Sequence, residues 1–187
     1  MTVILLEGPD GSGKTSTLRA IRQWMPYVTK FERACTSEGG PVPNLRQWVD
    51  DRMPQLRDHA ARGHEHVVLD RHPLVSELIY GPMVRGSMDE GFEWPWLRQA
   101  FQEFARMVVV VWHLPPTSTV ERYLDTPGRV DFPGVEENIY GLHAAYQAMM
   151  NTWPGPHWLI HDWTKDQHHT RLIPALDQLA PMPMKGN

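Results

Sequence analysis

The sequence predicts an α/β fold in which helices cover both faces of a parallel sheet of about five strands. Strand and helix patterns alternate along the 187 residues, and this order favours parallel strands joined by helices. The strongly apolar segment Val108–Leu114 is typical of the centre of a parallel sheet. No internal repeat or long linker divides the chain, so we expect a single domain over residues 1–187.

Each predicted strand is an apolar stretch bounded by polar or turn-forming residues. Val3–Glu7 leads directly into a glycine-rich segment, Val67–Asp70 ends on a carboxylate, and Pro115 follows the fourth strand. The five predicted strands are Val3–Glu7, Tyr27–Phe31, Val67–Asp70, Val108–Leu114 and Trp158–Ile160.

The predicted helices lie between these strands and begin or end at recognisable residues. Pro26 ends the first helix, Asn44 is a candidate N-cap of the second, and Gly63 ends that helix. Pro54 lies inside the second helix as a potential kink. The predicted helices are Thr15–Met25, Asn44 to about Arg62, a short helix and turn within Pro73–Arg85, Trp96–Met107, Thr117–Leu124, Val135–Met150 and Asp166–Leu179.

Composition narrows the classes of protein to which this chain can belong. Hydrophobic residues make up 41% and charged residues 21%, as in a globular domain, and the net charge is −4 with no basic block that would indicate a nucleic-acid footprint. A single cysteine, Cys35, excludes an intramolecular disulfide and an all-cysteine metal site. The longest apolar run is too short to span a bilayer, and we expect no signal peptide, no membrane partner and a cytoplasmic location.

Residues Gly8–Thr15 match the phosphate-binding pattern G-x-x-x-x-G-K-[ST], and they lie between a predicted strand and a predicted helix. The glycines allow backbone N–H groups to face phosphate oxygens, Lys14 reaches the terminal phosphates, and the Thr15 hydroxyl holds Mg²⁺. This segment predicts a three-layer P-loop NTPase fold that uses ATP and Mg²⁺. The predicted ATP-binding residues are Gly8, Asp10, Gly11, Ser12, Gly13, Lys14, Thr15 and Ser16.

A second candidate site residue is Asp70, at the carboxyl end of the third predicted strand. Ligands gather at that edge of a parallel sheet, so Asp70 is expected to meet the Mg²⁺ held by Thr15, directly or through water. Arg71 follows at once, and its guanidinium group can bind a phosphate through two hydrogen bonds.

Four segments in the correct order resemble the thymidylate kinase family of P-loop kinases and span about two thirds of the chain. The segment from Leu6 to Thr15 is very like the first motif of that family. The other three are Asp70-Arg71 followed by Ser76, Leu114-Pro115-Pro116 followed by Arg122, and Glu136/Glu137 to Tyr146.

The resemblance implies a kinase with ATP and Mg²⁺ in their usual roles and a short lid at about residues 125–134. It places Asp10 near the acceptor sugar, Arg71 on the acceptor or transferred phosphate, and Ser76 near the acceptor base. Gly11 stands where some members of the family carry an arginine, and members of that type supply the catalytic arginine from the lid, where this chain has Arg122 and Arg129. The predicted catalytic residues are Lys14, Asp10, Asp70, Arg71, Arg122 and Arg129.

The acceptor side departs from the family pattern. His72-Pro73 replaces the aromatic residue that follows Asp-Arg in the family. Residues 37–41 only weakly resemble the family's element after the second strand. The acceptor-side region is expected at about 36–62 and 71–96. The stretch between Lys14 and Asp70, which covers the acceptor monophosphate in the family, is short here, and Arg52 is a loose match to a phosphate contact. The expected acceptor is a deoxynucleoside monophosphate, and a homodimer is expected because members of this family are commonly dimers.

Two other functions remain open at this point. Some phage kinases related to this family are considered to phosphorylate 5-hydroxymethyluracil in DNA. Such a hydroxyl acceptor needs a general base, for which Asp10 and Asp70 are the candidates, while Trp94 and Trp96 could stack on a base. The third hypothesis for the function is a regulatory ATPase without a small acceptor.

Overall fold

The computed structural model describes residues 2–36, 40–62, 66–128, 132–161, 171–172 and 174–175. Within these ranges five strands form one sheet in which every neighbouring pair is parallel. Its order is β2-β3-β1-β4-β5, which confirms the α/β prediction of about five parallel strands. The strands are β1 (Val3–Glu7), β2 (Thr29–Lys30), β3 (Val67–Asp70), β4 (Val108–His113) and β5 (His157–Ile160).

Six α-helices in the described ranges connect these strands, and their ends carry the expected signals. Gly13 precedes the first helix in a left-handed conformation (φ 89°), and the helix stops two residues before Pro26. The third helix has Pro73 at its first position and His72 as a side-chain N-cap. The helices are α1 (Lys14–Trp24), α2 (Leu45–Arg62), α3 (Pro73–Tyr80), α4 (Trp96–Met107), α5 (Thr117–Leu124) and α6 (Val135–Thr152).

The sheet is the middle of three layers because alternate residues of its strands point to opposite faces. Leu5 and Leu69 point into the larger core cluster, which also contains buried residues of α2, α3, α4 and α6. Ile4 and Val68 point to the opposite face and pack with Leu18 and other residues of α1. Both faces of β1 are therefore covered, and all five of its residues are buried.

Two elements differ from the sequence prediction, and a third lies mostly outside the described residues. β2 spans two exposed residues rather than five, because it pairs with only one neighbour at the edge of the sheet. The segment after α3 continues as a π-helical turn, Gly81–Arg85, where a simple turn was expected. Of the predicted helix Asp166–Leu179, residues 171–172 and 174–175 are described and are helical, and the remaining positions lie outside the described residues.

The topology brings the predicted site residues to one edge of the sheet. β1 and β3 are neighbours in parallel register, with Leu6 opposite Asp70, so the loops that follow both strands lie side by side. Ligands in open α/β folds bind at this carboxyl edge. None of the helices formed by the described residues combines the length and the apolar character needed to cross a membrane.

Candidate active site

The phosphate loop, defined here as residues Gly8–Thr15, connects β1 to α1 as predicted. Gly8, Gly11 and Gly13 have φ angles of 148°, 71° and 89°, a region that side chains other than glycine rarely adopt. A side chain at Gly8 would also collide with the carbonyl of His113, and one at Gly11 with the ring of Tyr123. The loop conformation therefore depends on glycine at these positions.

Lys14 closes the phosphate loop on itself. Its ammonium group donates hydrogen bonds to the carbonyls of Gly8 (2.9 Å) and Pro9 (2.6 Å) and to the Ser12 hydroxyl (3.2 Å). Burial lowers the pKa of Lys14 to about 7, with the nearby Arg71 charge acting in the same direction. An anionic ligand at this loop would favour the charged ammonium form.

Asp70 and Thr15 provide oxygen atoms of the type that Mg²⁺ binds. Asp70 is buried at the end of β3, and its Oδ1 has no hydrogen-bond partner among the described residues. The Thr15 side chain is exposed in the first turn of α1. The described residues contain no group of three or more histidine, cysteine or carboxylate side chains that could hold a metal ion. Mg²⁺ bound to nucleotide phosphates needs only one or two protein oxygens, so this pair fits the ion.

Arg71 is held in a conformation that arginine seldom adopts. Its φ is 69°, in the left-handed region, and its backbone N–H donates to the Leu6 carbonyl at 3.1 Å. Its guanidinium donates to Asp10 Oδ1 at 2.8 Å and to the Tyr146 hydroxyl at 3.0 Å, and lies 4.6 Å from the centre of the Tyr80 ring. Such backbone strain is typical of functional sites, where the surroundings hold a side chain in place.

Both carboxylate oxygens of Asp10 are occupied. Oδ1 accepts from Arg71, and Oδ2 accepts from the Tyr80 hydroxyl at 2.7 Å. Burial alone would raise the pKa of Asp10, but the charges of Arg71 and Lys14 and the Tyr80 hydrogen bond outweigh it and hold the pKa below its usual value. Asp10 is therefore an anchor for Arg71 and a weak proton acceptor.

A buried carboxylate, Glu7, extends this network behind Arg71. Glu7 Oε2 accepts from the Tyr146 hydroxyl at 3.0 Å, and Oε1 accepts from the His72 backbone N–H at 2.8 Å. Burial raises the pKa of Glu7 to about 7, although the Arg71 charge opposes the shift. The Tyr146 hydroxyl joins Glu7 to Arg71, a role that sequence reasoning did not assign to either residue.

A pocket of about 400 Å³ opens beside Asp10 and Arg71 and is called the central pocket below. The predicted residues Asp10, Asp70, Arg71 and Ser76 line it. Sequence reasoning missed most of the other lining residues, which come from separate segments without a motif of their own; five of them carry charged or aromatic side chains used below. They are Arg33, Glu77, Arg85, Tyr123 and Phe132.

Arg33 supplies a second cation to the central pocket. Its Nε lies 3.5 Å from Asp70 Oδ2, and 45% of its side chain remains exposed. The sequence signal that could have identified Arg33 is its position just after the second predicted strand. Loops at the carboxyl edge of a parallel sheet carry ligand contacts.

Several predicted residues lie elsewhere. Arg52 forms an ion pair with Glu32 and does not line the central pocket formed by the described residues. The Arg122 guanidinium is exposed and bonds to Ser118 and Thr119 of its own helix. Arg129 lies outside the described residues, as does part of the predicted lid at 125–134.

Comparison with known proteins identifies the class of fold. No family model matches the sequence, and no curated protein sequence matches it. Solved structures match in 114 chains. Those described below cover nearly the whole chain and are nucleotide or deoxynucleoside kinases by name, or hold a nucleotide. The chain has the fold of thymidylate kinase-like P-loop nucleotide kinases.

Three solved structures illustrate the likeness. The YorR protein of Bacillus subtilis, in complex with phosphorylated GDP, is 17% identical with a TM-score of 0.64 over 94% of this chain and 96% of that one. Thymidylate kinase of Candida albicans is 14% identical with a TM-score of 0.60 over 95% and 91%. Deoxyadenosine kinase of M. mycoides, with the products dCMP and dCDP, is 15% identical with a TM-score of 0.56 over 95% and 100%.

Proposed function

We propose that this protein transfers the γ-phosphoryl group of ATP to a deoxynucleoside monophosphate. The observation that carries the proposal is Arg71, whose guanidinium is fixed between Asp10 and Tyr146 where the central pocket meets the phosphate loop. Arg33 on the same pocket wall adds a second positive charge. Two cations beside a phosphate-binding loop suit an acceptor that is itself a phosphate.

The state of Asp10 argues against one of the two candidate general bases for a hydroxyl acceptor, and the other, Asp70, is assigned to Mg²⁺ in the proposed reaction. A hydroxyl nucleophile needs a carboxylate that takes its proton, whereas a phosphate oxygen is already negatively charged. Both Asp10 oxygens are hydrogen-bonded, and its pKa is lowered by Arg71 and Lys14 against the effect of burial. Asp10 is therefore poorly suited to proton removal, and the proposed reaction does not require it.

On the donor side, the backbone of the phosphate loop and Lys14 bind the ATP phosphates. Thr15 and Asp70 hold Mg²⁺, which when bound neutralises charge on the donor phosphates. Lys14 leaves the loop carbonyls for the transferred phosphate, where its charge is favoured. We assign to Arg122 the role of the catalytic arginine that the lid supplies. The same role for Arg129 stays a prediction.

Two similar structures support a nucleotide acceptor, since the C. albicans enzyme is by name a thymidylate kinase and the YorR protein is described with phosphorylated GDP. The M. mycoides deoxyadenosine kinase is by name a kinase of a nucleoside and is described with the product dCMP. The DNA alternative gains no support from Trp94 and Trp96. Trp94 is exposed, Trp96 donates to Asp50, and neither lines the central pocket formed by the described residues. The homodimer and the cytoplasmic location stay predictions.

The test is a transfer assay with γ-labelled ATP and each of the four deoxynucleoside monophosphates, run beside duplex DNA with and without 5-hydroxymethyluracil. We expect label in a deoxynucleoside diphosphate. Lys14→Ala should abolish transfer, whereas Lys30→Ala, on the exposed strand β2, should not. Label in DNA, or ATP hydrolysis that no acceptor accelerates, would refute the proposal.

A further inference from the structure

Three arginines line the central pocket, and each of them forms an ion pair with a carboxylate that lines it too. The pairs are Arg71–Asp10, Arg85–Glu77 and Arg33–Asp70. The aromatic lining residues Tyr123 and Phe132 add no charge. An arginine in an ion pair attracts a further anion less strongly than a free one, because the carboxylate repels that anion. A phosphate that enters this pocket is therefore bound more tightly if one arginine leaves its partner.

Arg33 is the arginine that can leave its partner most readily. Its Nε lies 3.5 Å from Asp70 Oδ2, beyond the usual hydrogen-bond range of about 2.7–3.2 Å. Its side chain is 45% exposed, against 15% for Arg71 and 26% for Arg85. Arg71 is held in addition by the Tyr146 hydroxyl. Because an ion pair with an exposed arm is worth little, separating Arg33 from Asp70 costs less than separating either of the other pairs.

Asp70 lies between the donor loop and Arg33. It ends β3, is 5% exposed and lines the central pocket. Burial lowers the pKa of Lys14, and the charge of Asp70 is among those that oppose this effect, so the carboxylate also acts on the phosphate loop. One and the same carboxylate is thus the candidate ligand of the donor's metal ion and the partner of an arginine in the acceptor pocket.

Arg33 in turn acts on the reacting side of the pocket. Burial raises the pKa of Asp10, and the charge of Arg33 is among those that outweigh this effect, after the charges of Arg71 and Lys14. Arg33 and Arg71 therefore both act on Asp10. An acceptor phosphate bound by Arg71 is within reach of the long and half-exposed Arg33 side chain.

We propose that Asp70 holds Arg33 back from the acceptor phosphate and releases it when Asp70 binds the Mg²⁺ of the donor nucleotide. Once Asp70 binds a metal ion, its negative charge is no longer available to Arg33, which then turns to the acceptor. Donor complex and acceptor consequently each tighten the binding of the other, since such coupling is reciprocal. The inference rests on the proposed function, because it concerns how the two substrates of that reaction influence each other.

The first experiment measures by calorimetry the Kd of dAMP, dCMP, dGMP and dTMP without ATP and without Mg²⁺. Asp70→Asn should lower the Kd of the acceptor by about 5-fold, the scale of one partly exposed ion pair. Arg33→Gln should raise the Kd, and adding Asp70→Asn to it should change the Kd by less than about 2-fold, because the released arginine is then missing. Asp51→Asn is the matched control, since Asp51 is exposed on α2, bonds to Gln47 and should leave the Kd unchanged.

The second experiment uses the wild type with a non-hydrolysable ATP analogue. The analogue with Mg²⁺ should lower the Kd of the acceptor by about 5-fold relative to the analogue with EDTA, because Asp70 then gives up Arg33. This dependence on the metal should be absent from Asp70→Asn and from Arg33→Gln.

Each result decides between the two proposals. Transfer to a monophosphate together with an unchanged Kd in Asp70→Asn overturns this inference and leaves the kinase standing, whereas no binding of and no transfer to any monophosphate overturns both. An equal gain from Asp70→Asn with and without Arg33 means that Asp70 only repels the phosphate directly, and this also overturns it. If Asp70→Asn does not fold, the metal dependence of the wild type and its loss in Arg33→Gln give the answer.

Discussion

Replacing Tyr146 with Phe removes one hydroxyl from the centre of the candidate site and leaves the ring in place. That hydroxyl donates to Glu7 Oε2 at 3.0 Å and accepts from Arg71 at 3.0 Å. The ring is buried and packs edge-on against Tyr80 and Trp112. The change therefore separates the hydrogen-bonding role of Tyr146 from its packing role.

The expected cost follows from two hydrogen bonds, one with the charged Arg71 and one with Glu7, which is charged above about pH 7, so the estimate applies above that pH. Hydrogen bonds to charged groups contribute about 1.5–3 kcal/mol each, so we expect the free energy of unfolding to fall by about 3 kcal/mol or more. Loss of the donor should raise the pKa of Glu7 further, because the hydroxyl stabilises its charged form. Arg71 keeps its bond to Asp10 but loses its second fixed contact.

For catalysis, Tyr146→Phe should lower kcat/KM for the acceptor by about 10- to 100-fold, the scale of a small misplacement of a positioning group. Urea unfolding and steady-state kinetics at varied acceptor concentration measure the two effects. Tyr27→Phe is the matched control, since Tyr27 is 85% exposed, and it should resemble the wild type. If Tyr146→Phe keeps wild-type kcat/KM, the hydroxyl does not position Arg71 and the network has no catalytic role.

Three further changes test other parts of the site. His72→Asn removes a buried histidine whose pKa is lowered to about 3 by burial, whereas the same histidine in the unfolded chain takes up a proton near pH 6.5. The free energy of unfolding of the wild type should therefore fall by about 1.4 kcal/mol per pH unit more than that of the variant between pH 6 and 4. Urea unfolding measures both slopes, equal slopes would contradict the argument, and His157→Asn is the exposed control. Asp70→Asn should raise the Mg²⁺ concentration needed for half-maximal activity by about 10-fold or more, and an unchanged Mg²⁺ titration would remove Asp70 from the metal site. Gly11→Ala should weaken ATP binding measured by calorimetry, because its φ of 71° and the ring of Tyr123 leave no place for a methyl group; wild-type affinity would show that the loop rearranges.

Local patterns made much of the fold and the position of the phosphate loop predictable. The bounds of β1 and β3 match their predictions, and the phosphate loop lies between β1 and α1 as its motif requires. These features depend on residues that are close in sequence, such as Pro73 at the first position of α3. The order of the motifs along the chain also predicts that Asp70 lies at the same sheet edge as the phosphate loop, because parallel strands align their carboxyl ends.

The acceptor side could not be predicted in the same way, because its contacts join distant residues. Glu7 and Tyr146 are 139 positions apart, and Arg71 and Tyr146 are 75 apart. Glu77 and Arg85 are close in sequence, but only the π-helical turn brings the arginine back to the carboxylate. The sequence pattern around them predicts an ordinary helix and a turn, from which no pairing follows.

The hydrogen-bond network around Arg71 fixes its conformation, which the Asp-Arg dipeptide alone does not predict. A left-handed conformation at a residue other than glycine costs on the order of 1–3 kcal/mol, and here Leu6, Asp10 and Tyr146 hold it in place. The guanidinium is consequently ordered before any ligand arrives, and binding need not supply the entropy of fixing it. Under the proposed function, an acceptor phosphate in the central pocket would meet an arginine already in position, and electrostatic preorganisation of this kind is usually the largest single term in catalysis.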